Sequence, residues 1–337
     1  MLRVPYADLY EALHRATVHL GLRGERAALC AQLFAETTRD GVYTHGLNRF
    51  PRFAGMVANG CVDVAAEPTR VAGAAALERW EGHLGPGNLN AYAAMERAIE
   101  LAREHGLGGV AMANTNHWMR GGSYGWQAAD RGIFALCWTN TLPNLPAWGT
   151  AAPTLGNNPL VVAIPRADGA HVVLDMAISQ FSYGSISAYA ARGQQLPVPG
   201  GYDAEGKLTT DPAILEVSQR ALPIGYWKGS GLSLVLDMLA AMLSGGHATH
   251  ELPRDSLRES GQSQIFLAID PSSFADRGEF DRIANGVLES LHAAVPLDPA
   301  RPVRYPGQQT LHLREENLRL GVPVDSAVWD RLLALSF

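Results

Sequence analysis

In the run Tyr43-Thr44-His45-Gly46-Leu47-Asn48-Arg49-Phe50, His45 and Arg49 stand four residues apart. If this segment opens a helix, the two side chains share a face, with roughly 6 Å between their Cβ atoms. Such a pair suits a 2-keto acid. The planar guanidinium takes the carboxylate in a two-pronged grip, and an imidazole one turn away hands a proton to the adjacent carbonyl oxygen. Histidine fits that task because its ordinary pKa lies near neutrality. The same spacing equally describes a surface histidine beside an arginine that pairs with some acid.

A second cluster, Asn114-Thr115-Asn116-His117-Trp118-Met119-Arg120-Gly121-Gly122-Ser123-Tyr124-Gly125, leads from the end of an expected strand through two glycines into a helix. Strand ends that feed Gly-rich turns commonly carry ligands in α/β proteins. His117 and Arg120 are candidates to face a substrate, while Gly121 and Gly122 would let backbone N–H groups approach an anion. The alternative is a loop that only turns the chain. In Tyr226-Trp227-Lys228-Gly229-Ser230-Gly231 a lysine precedes Gly-Ser-Gly at a helix start. Free N–H groups, helix dipole and cation together predict an anion site, for example for a cofactor pyrophosphate. Asp175, in Leu174-Asp175-Met176-Ala177, could orient His45, bond a ribose hydroxyl or cap the following helix.

Competing chemistries are poorly represented. Among eleven histidines only His247 and His250 fall within four residues of each other, and no HExxH occurs, so no metal is expected. Gly85-Pro86-Gly87 has Asn90 where a GxGxxG pattern needs its third glycine, and Lys228 precedes its glycines, unlike a Walker loop. A standard Rossmann fingerprint is therefore absent. No serine nucleophile is expected.

These residues must be positioned by a fold of mixed α/β class. Helical periodicity covers Leu9 to Leu20, Ala27 to Asp40 and a third stretch from His45 to Asn59. Short apolar stretches at Ala76–Trp80, Gly108–Ala113, Ile133–Thr139, Leu160–Ile164, His171–Met176 and Gln264–Ile269 predict strands. Helices are expected over Asn88–His105, Ser123–Arg131, Gly231–Leu243, Leu311–Leu320 and Ser326–Leu335. The pattern predicts a helical domain built from both chain ends, residues 1–70 with 300–337. A mixed-sheet domain over 71–299 would carry a Gly- and Pro-rich surface excursion at 193–212.

The 337 residues are 47% hydrophobic and carry 27 basic against 33 acidic side chains, a net charge of −6. That charge disfavours nucleic acid and anionic membranes as partners. Three cysteines without a CxxC fit a reducing cytosol, and the apolar run Leu232–Leu243 contains Asp237 and is too short to span a bilayer. A cytoplasmic protein with a small-molecule partner is expected.

Taken together and in order, several segments resemble the malate/L-lactate dehydrogenase type 2 family. They are Thr44-His45-Gly46-x-x-Arg49, Asn116-His117 with Gly121-Gly122, Gly156-Asn157-Asn158-Pro159-Leu160, Asp175-Met176, and Trp227-Lys228-Gly229-Ser230-Gly231 with Leu236-Asp237. The resemblance runs from about Tyr6 to Leu335. It implies a non-Rossmann fold, a homodimer, and NAD(P)H-dependent reduction of a small 2-keto acid, here a sugar acid, with NADH favoured and NADPH possible. Carried over by position, His45 is the proton donor, with His117 in the place some relatives use for that group. Arg49, His117 and Arg120 are the expected substrate contacts. The cofactor segments fall at His171, Val172, Val173, Leu174, Asp175, Met176 and Ala177, at Trp227 and Lys228, and at Gly307, Gln308 and Gln309. Gln308 and Gln309 depart from the acidic, histidine-containing pair expected there. Another 2-oxo acid (malate, lactate, ureidoglycolate or a cyclic imino acid) or a non-catalytic sugar-acid binding protein are the alternatives.

Overall fold

Apolar residues at helical spacing on α1 (Tyr6–His19), α2 (Gly24–Arg39) and α3 (Phe50–Ala58) converge on one core. The structure is a computed structural model that describes residues 2–273 and 276–335. A strand near the start, β1 (Leu2–Val4), pairs with one near the end, β13 (Val322–Val324), and brings α11 (Ser326–Leu335) onto the same core. Both chain ends thus contribute helices to one core.

The centre is a seven-stranded sheet of order β2-β3-β4-β12-β5-β8-β9. Its strands are β2 (Thr69–Ala74), β3 (Leu77–Glu81), β4 (Leu107–Asn116), β5 (Phe134–Thr139), β8 (Leu160–Ile164), β9 (Val172–Met176) and β12 (Ser260–Ile269). Only β3 and β4 run parallel; every other pair is antiparallel. That is incompatible with a Rossmann sheet, and the class is mixed α/β as expected. On β12, Phe266 and Ala268 face one side, towards α4 (Gly87–His105) and α5 (Gly122–Ala129). Ile265 and Leu267 face the other, towards α8 (Trp227–Ser244). A strand covered on both faces reads as a nearly continuous buried run.

Between the sheet strands lie a small ribbon, β6 (Leu145–Pro146) with β7 (Pro153–Leu155), and the helix α6 (Tyr183–Ala191). The excursion at 193–212 is not bare loop: it carries the hairpin β10 (Gly201–Tyr202) and β11 (Leu208–Thr209), and runs into α7 (Pro212–Ser218). Leu196 and Gly201 are buried there, so the segment packs down. After β12 come α9 (Arg277–His292) and α10 (Gln308–Leu320). Helices α6 and α9 and strands β1 and β13 were not legible in the periodicity. Among the described residues no helix is long and apolar enough to cross a membrane.

Candidate active site

The turn that carries His45 is shaped by glycine. The expected helix from His45 does not form; residues 42–46 turn, Leu47–Arg49 make a single 3-10 turn, and α3 begins at Phe50. The Leu47 N–H donates to Thr38 Oγ1 on α2 (2.8 Å). A Cβ on Gly46 would lie 2.3 Å from that same oxygen and 2.8 Å from the Thr38 nitrogen, so no side chain fits. His45 and Arg49 are therefore not on successive turns of one helix, although Arg49 still bears electrostatically on His45.

His117 comes from the opposite side, directly after β4. Its ring stacks near His45, with centroids 5.8 Å apart and planes 23° from parallel. The two differ in their hydrogen bonds. His117 Nδ1 accepts the Met119 N–H (3.0 Å), which places the proton of the neutral ring on Nε2. His45 Nδ1 lies 2.9 Å from the Thr44 hydroxyl, a partner that can donate or accept. Both rings are crowded by protein yet partly open to solvent. Burial lowers the His45 pKa, and Arg49 and Arg120 push it further, to about 4. His117 is likewise held well below the usual range, by burial, then Arg49, His45 and Arg52. Both are neutral at pH 7.

The arginines are anchored by acids from remote segments. Arg49 and Arg52 converge on one oxygen of Glu259 (2.7 and 2.9 Å). Glu259 arrives there because β12 pairs with β4 in a register that sets Ser260 opposite Asn116. Two guanidiniums on one carboxylate leave excess positive charge beside the histidines. Arg120 is buried; its Nη1 donates to Asp40 (2.7 Å), and its Nε has no partner among the described residues. Neither Asp40 nor Glu259 was singled out from the sequence.

Asp175 orients neither His45 nor the helix that follows it. Its Oδ2 accepts the Gly122 N–H (2.8 Å) at the start of α5, so the anion approached by the double glycine is this carboxylate. Asp175 reaches the cleft surface but is ringed by protein; burial raises its pKa, against Arg120 and the Gly122 N–H. Gly121-Gly122-Ser123-Tyr124-Gly125 also has the spacing of a serine nucleophile elbow, which the reading of the sequence missed. Ser123 lies inside α5, and among the described residues no histidine bonds its hydroxyl. It is not an elbow.

Two of the three expected cofactor segments meet. The Val173 N–H donates to Pro306 O (2.9 Å), and Val173, Leu174, Asp175, Arg304, Tyr305 and Gly307 line a cleft of about 460 Å³ that also reaches Arg120 and Trp126. Gly307 has φ +98°, and a Cβ there would stand 3.0 Å from His171 O and 3.1 Å from the Val173 nitrogen. The His171 ring turns away, accepting from the Arg166 N–H and meeting Asp130, so only its backbone faces this junction. Val172 pairs with Ile164 in the sheet, Met176 packs beneath α8, and Ala177 follows the strand. Gln308 Oε1 accepts the Tyr305 N–H (3.2 Å), and Gln309 continues the first turn of α10.

Trp227 and Lys228 do not join that cleft. They are exposed in the first turn of α8, which begins earlier than expected. The N–H groups of Lys228, Gly229 and Ser230 donate to Gly225 O, Ile224 O and Tyr226 O. The expected cradle of free donors is thus already filled. Among the described residues, no three His, Cys, Asp or Glu side chains are placed to hold a metal.

The cleft's size lies within the ordinary range for small-molecule sites. It offers a nucleotide apolar walls at Trp126, Val173 and Pro306 and a cationic edge at Arg304. The residues present fit such a group. Comparison with known proteins gives this site its context. The chain is 44% identical over 334 residues to 2,3-diketo-L-gulonate reductase of Citrobacter koseri, covering 99% of this chain and 100% of that one. Sulfolactate dehydrogenase of Methanocaldococcus jannaschii shares the fold with a TM-score of 0.91 at 26% identity, over 99% of this chain and 96% of that one. Δ1-piperideine-2-carboxylate reductase of Pseudomonas syringae does so with a TM-score of 0.88 at 28% identity, over 99% and 100%. With residues 4–333 matching as well, the chain belongs to the malate/L-lactate dehydrogenase family and is an oxidoreductase.

Proposed function

We propose that this protein reduces 2,3-dioxo-L-gulonate to 3-dehydro-L-gulonate with NADH, NADPH being the second choice. The observation that carries the reading is the His45–His117 pair, 5.8 Å apart and flanked by Arg49 and Arg120, in a chain 44% identical to a reductase of that name. The reduced nicotinamide, when bound, supplies the hydride. Residues 173–175 and Gly307 would hold it through the cleft they line, with the backbone of His171 behind them. Gln308, whose side chain is spent on the Tyr305 N–H, and Gln309 would contribute backbone only.

Arg49 binds the substrate carboxylate with the donors that Glu259 leaves free. His117 donates its Nε2–H to a substrate oxygen and stays neutral, because its Nδ1 is occupied. Arg120 offers its unpartnered edge to a hydroxyl oxygen of the sugar acid. His45 gives up the proton: Thr44 can accept from Nδ1–H of the imidazolium, leaving Nε2–H for the alkoxide. The helical part formed by 1–70 and 300–337 would carry His45, and the sheet part 71–299 would carry His117. Residues 1, 274–275 and 336–337 of that division lie outside the described ones. A homodimer is proposed through α8, where Trp227, Leu234, Val235, Met238 and Met242 expose one apolar face. That face would put Trp227 and Lys228 at the subunit contact.

The test is loss of absorbance at 340 nm with 2,3-dioxo-L-gulonate and a panel of malate-, lactate- and imino-acid-type substrates, each with both cofactors. Faster turnover of any other acid would overturn the substrate. Turnover of none, with ligand still bound, would overturn the enzyme reading.

The low His45 pKa also has a definite pH consequence. In the free enzyme the proton-bearing form is lost as pH rises through about 4, so kcat/KM for reduction should fall with pH above that point. A bound carboxylate offsets the positive charge of Arg49 and Arg120 and raises the pKa, so kcat should hold to higher pH. Identical limbs in the two profiles would remove His45 as the acid.

A further inference from the structure

Asp40 is a heavily engaged acid outside the proposed chemistry. It ends α2 and is 3% exposed. Its Oδ2 accepts from Arg120 Nη1 (2.7 Å) and Arg314 Nη2 (2.8 Å), and its Oδ1 from Arg314 Nε (2.9 Å) and Arg39 Nε (2.8 Å). Its backbone is tied too, the Asp40 N–H donating to Glu36 O (2.9 Å). Burial alone would raise this carboxyl, but the three arginines hold it at about 2, so it stays charged. Arg314 also lies over the Trp126 ring at 4.7 Å, which locks the acid's second partner against the cleft wall.

Arg120 has no such redundancy. Among the described residues Asp40 is its only ion-pair partner, and its Nε is buried and unpartnered. A second carboxylate, Asp175, acts on Arg120 from the cleft side without a hydrogen bond to it. Without Asp40 the guanidinium would be drawn towards Asp175, away from the orientation in which its free edge meets a ligand.

We propose that Asp40 is the positioning residue of the substrate site, its buried carboxylate fixing the Arg120 guanidinium by one short hydrogen bond while Arg39 and Arg314 hold the carboxylate in place. The inference rests on the assignment of Arg120 to the substrate. It predicts that Asp40 acts on ground-state recognition of the keto acid and only through Arg120.

A double-mutant cycle decides it. KM is measured for 2,3-dioxo-L-gulonate, or for the panel acid that the unmodified protein reduces fastest, in Asp40→Asn, Arg120→Ala and the double variant. NADH dissociation is read by tryptophan fluorescence. Asp40→Asn should raise KM by about tenfold, with NADH binding within about twofold of the parent. The double variant should match Arg120→Ala within about twofold, because the carboxylate has nothing left to position. Effects that multiply, or an unchanged KM in Asp40→Asn, would overturn the proposal. An unchanged KM in Arg120→Ala alone would remove the substrate role of Arg120 and the proposal with it. Should Asp40→Asn not fold, Asp40→Glu keeps the charge but lengthens the arm. It should raise KM by about threefold, and again not in the Arg120→Ala background.

Discussion

Replacing His45 by Asn should lower kcat for keto-acid reduction by roughly a hundredfold or more, the ordinary contribution of a positioned general acid. NADH affinity should stay within about twofold, since the cleft proposed for the cofactor is lined by residues 173–175 and 304–307 and not by His45. The comparison is clean because His45 is uncharged in the free enzyme at neutral pH, its pKa lying near 4. In the free enzyme, to which NADH binds, Asn therefore leaves the charge beside Arg49 and Arg120 unchanged. His117 should not rescue the variant: its Nδ1 already accepts the Met119 N–H, and protonating it would break that bond. Steady-state kinetics at saturating NADH reads the effect. A kcat equal to that of the parent would assign the proton elsewhere, to His117 first.

Arg49→Gln should produce the second large change, a rise in KM for the keto acid of roughly tenfold to a hundredfold. That is the range expected when a hydrogen bond to a charged group is lost. The same variant carries a second signature of opposite kind. After burial, Arg49 is the largest influence pushing the His45 pKa down. Its removal should move the descending limb of the kcat/KM profile to higher pH, while Glu259 keeps Arg52 as a counter-ion (2.9 Å). A KM unchanged by the substitution would take the carboxylate away from Arg49. A descending limb that stays in place would separate His45 from the titration.

How much of this could be read from the chain depends on distance along it. Helix α4 and strand β8 follow from local periodicity, and the class of fold follows from their alternation. The His45 turn does not, because it is decided by the Thr38 hydroxyl and by the absence of a Cβ on Gly46. The helix predicted there was a continuation of α3 into a segment that tertiary contacts bend away. Lys228-Gly229-Ser230-Gly231 looked like an open set of donors because nothing local reveals that Ile224 and Gly225 turn their carbonyls onto it. Asp40 and Glu259 were invisible for the same reason, their partners Arg120 and Arg49 lying 80 and 210 residues away. The paired histidines announce themselves by type; the acids bonded to the neighbouring arginines do not.

The Val173–Pro306 hydrogen bond joins segments far apart in the chain, and Gly307 closes against the same strand. During synthesis the His45 turn and β4 emerge long before Arg304 to Thr310 exist to wall the cleft. A growing polypeptide can thus own both histidines before the wall of that cleft exists. With the cofactor held there as proposed, a prematurely stopped chain would lack that site and be catalytically silent.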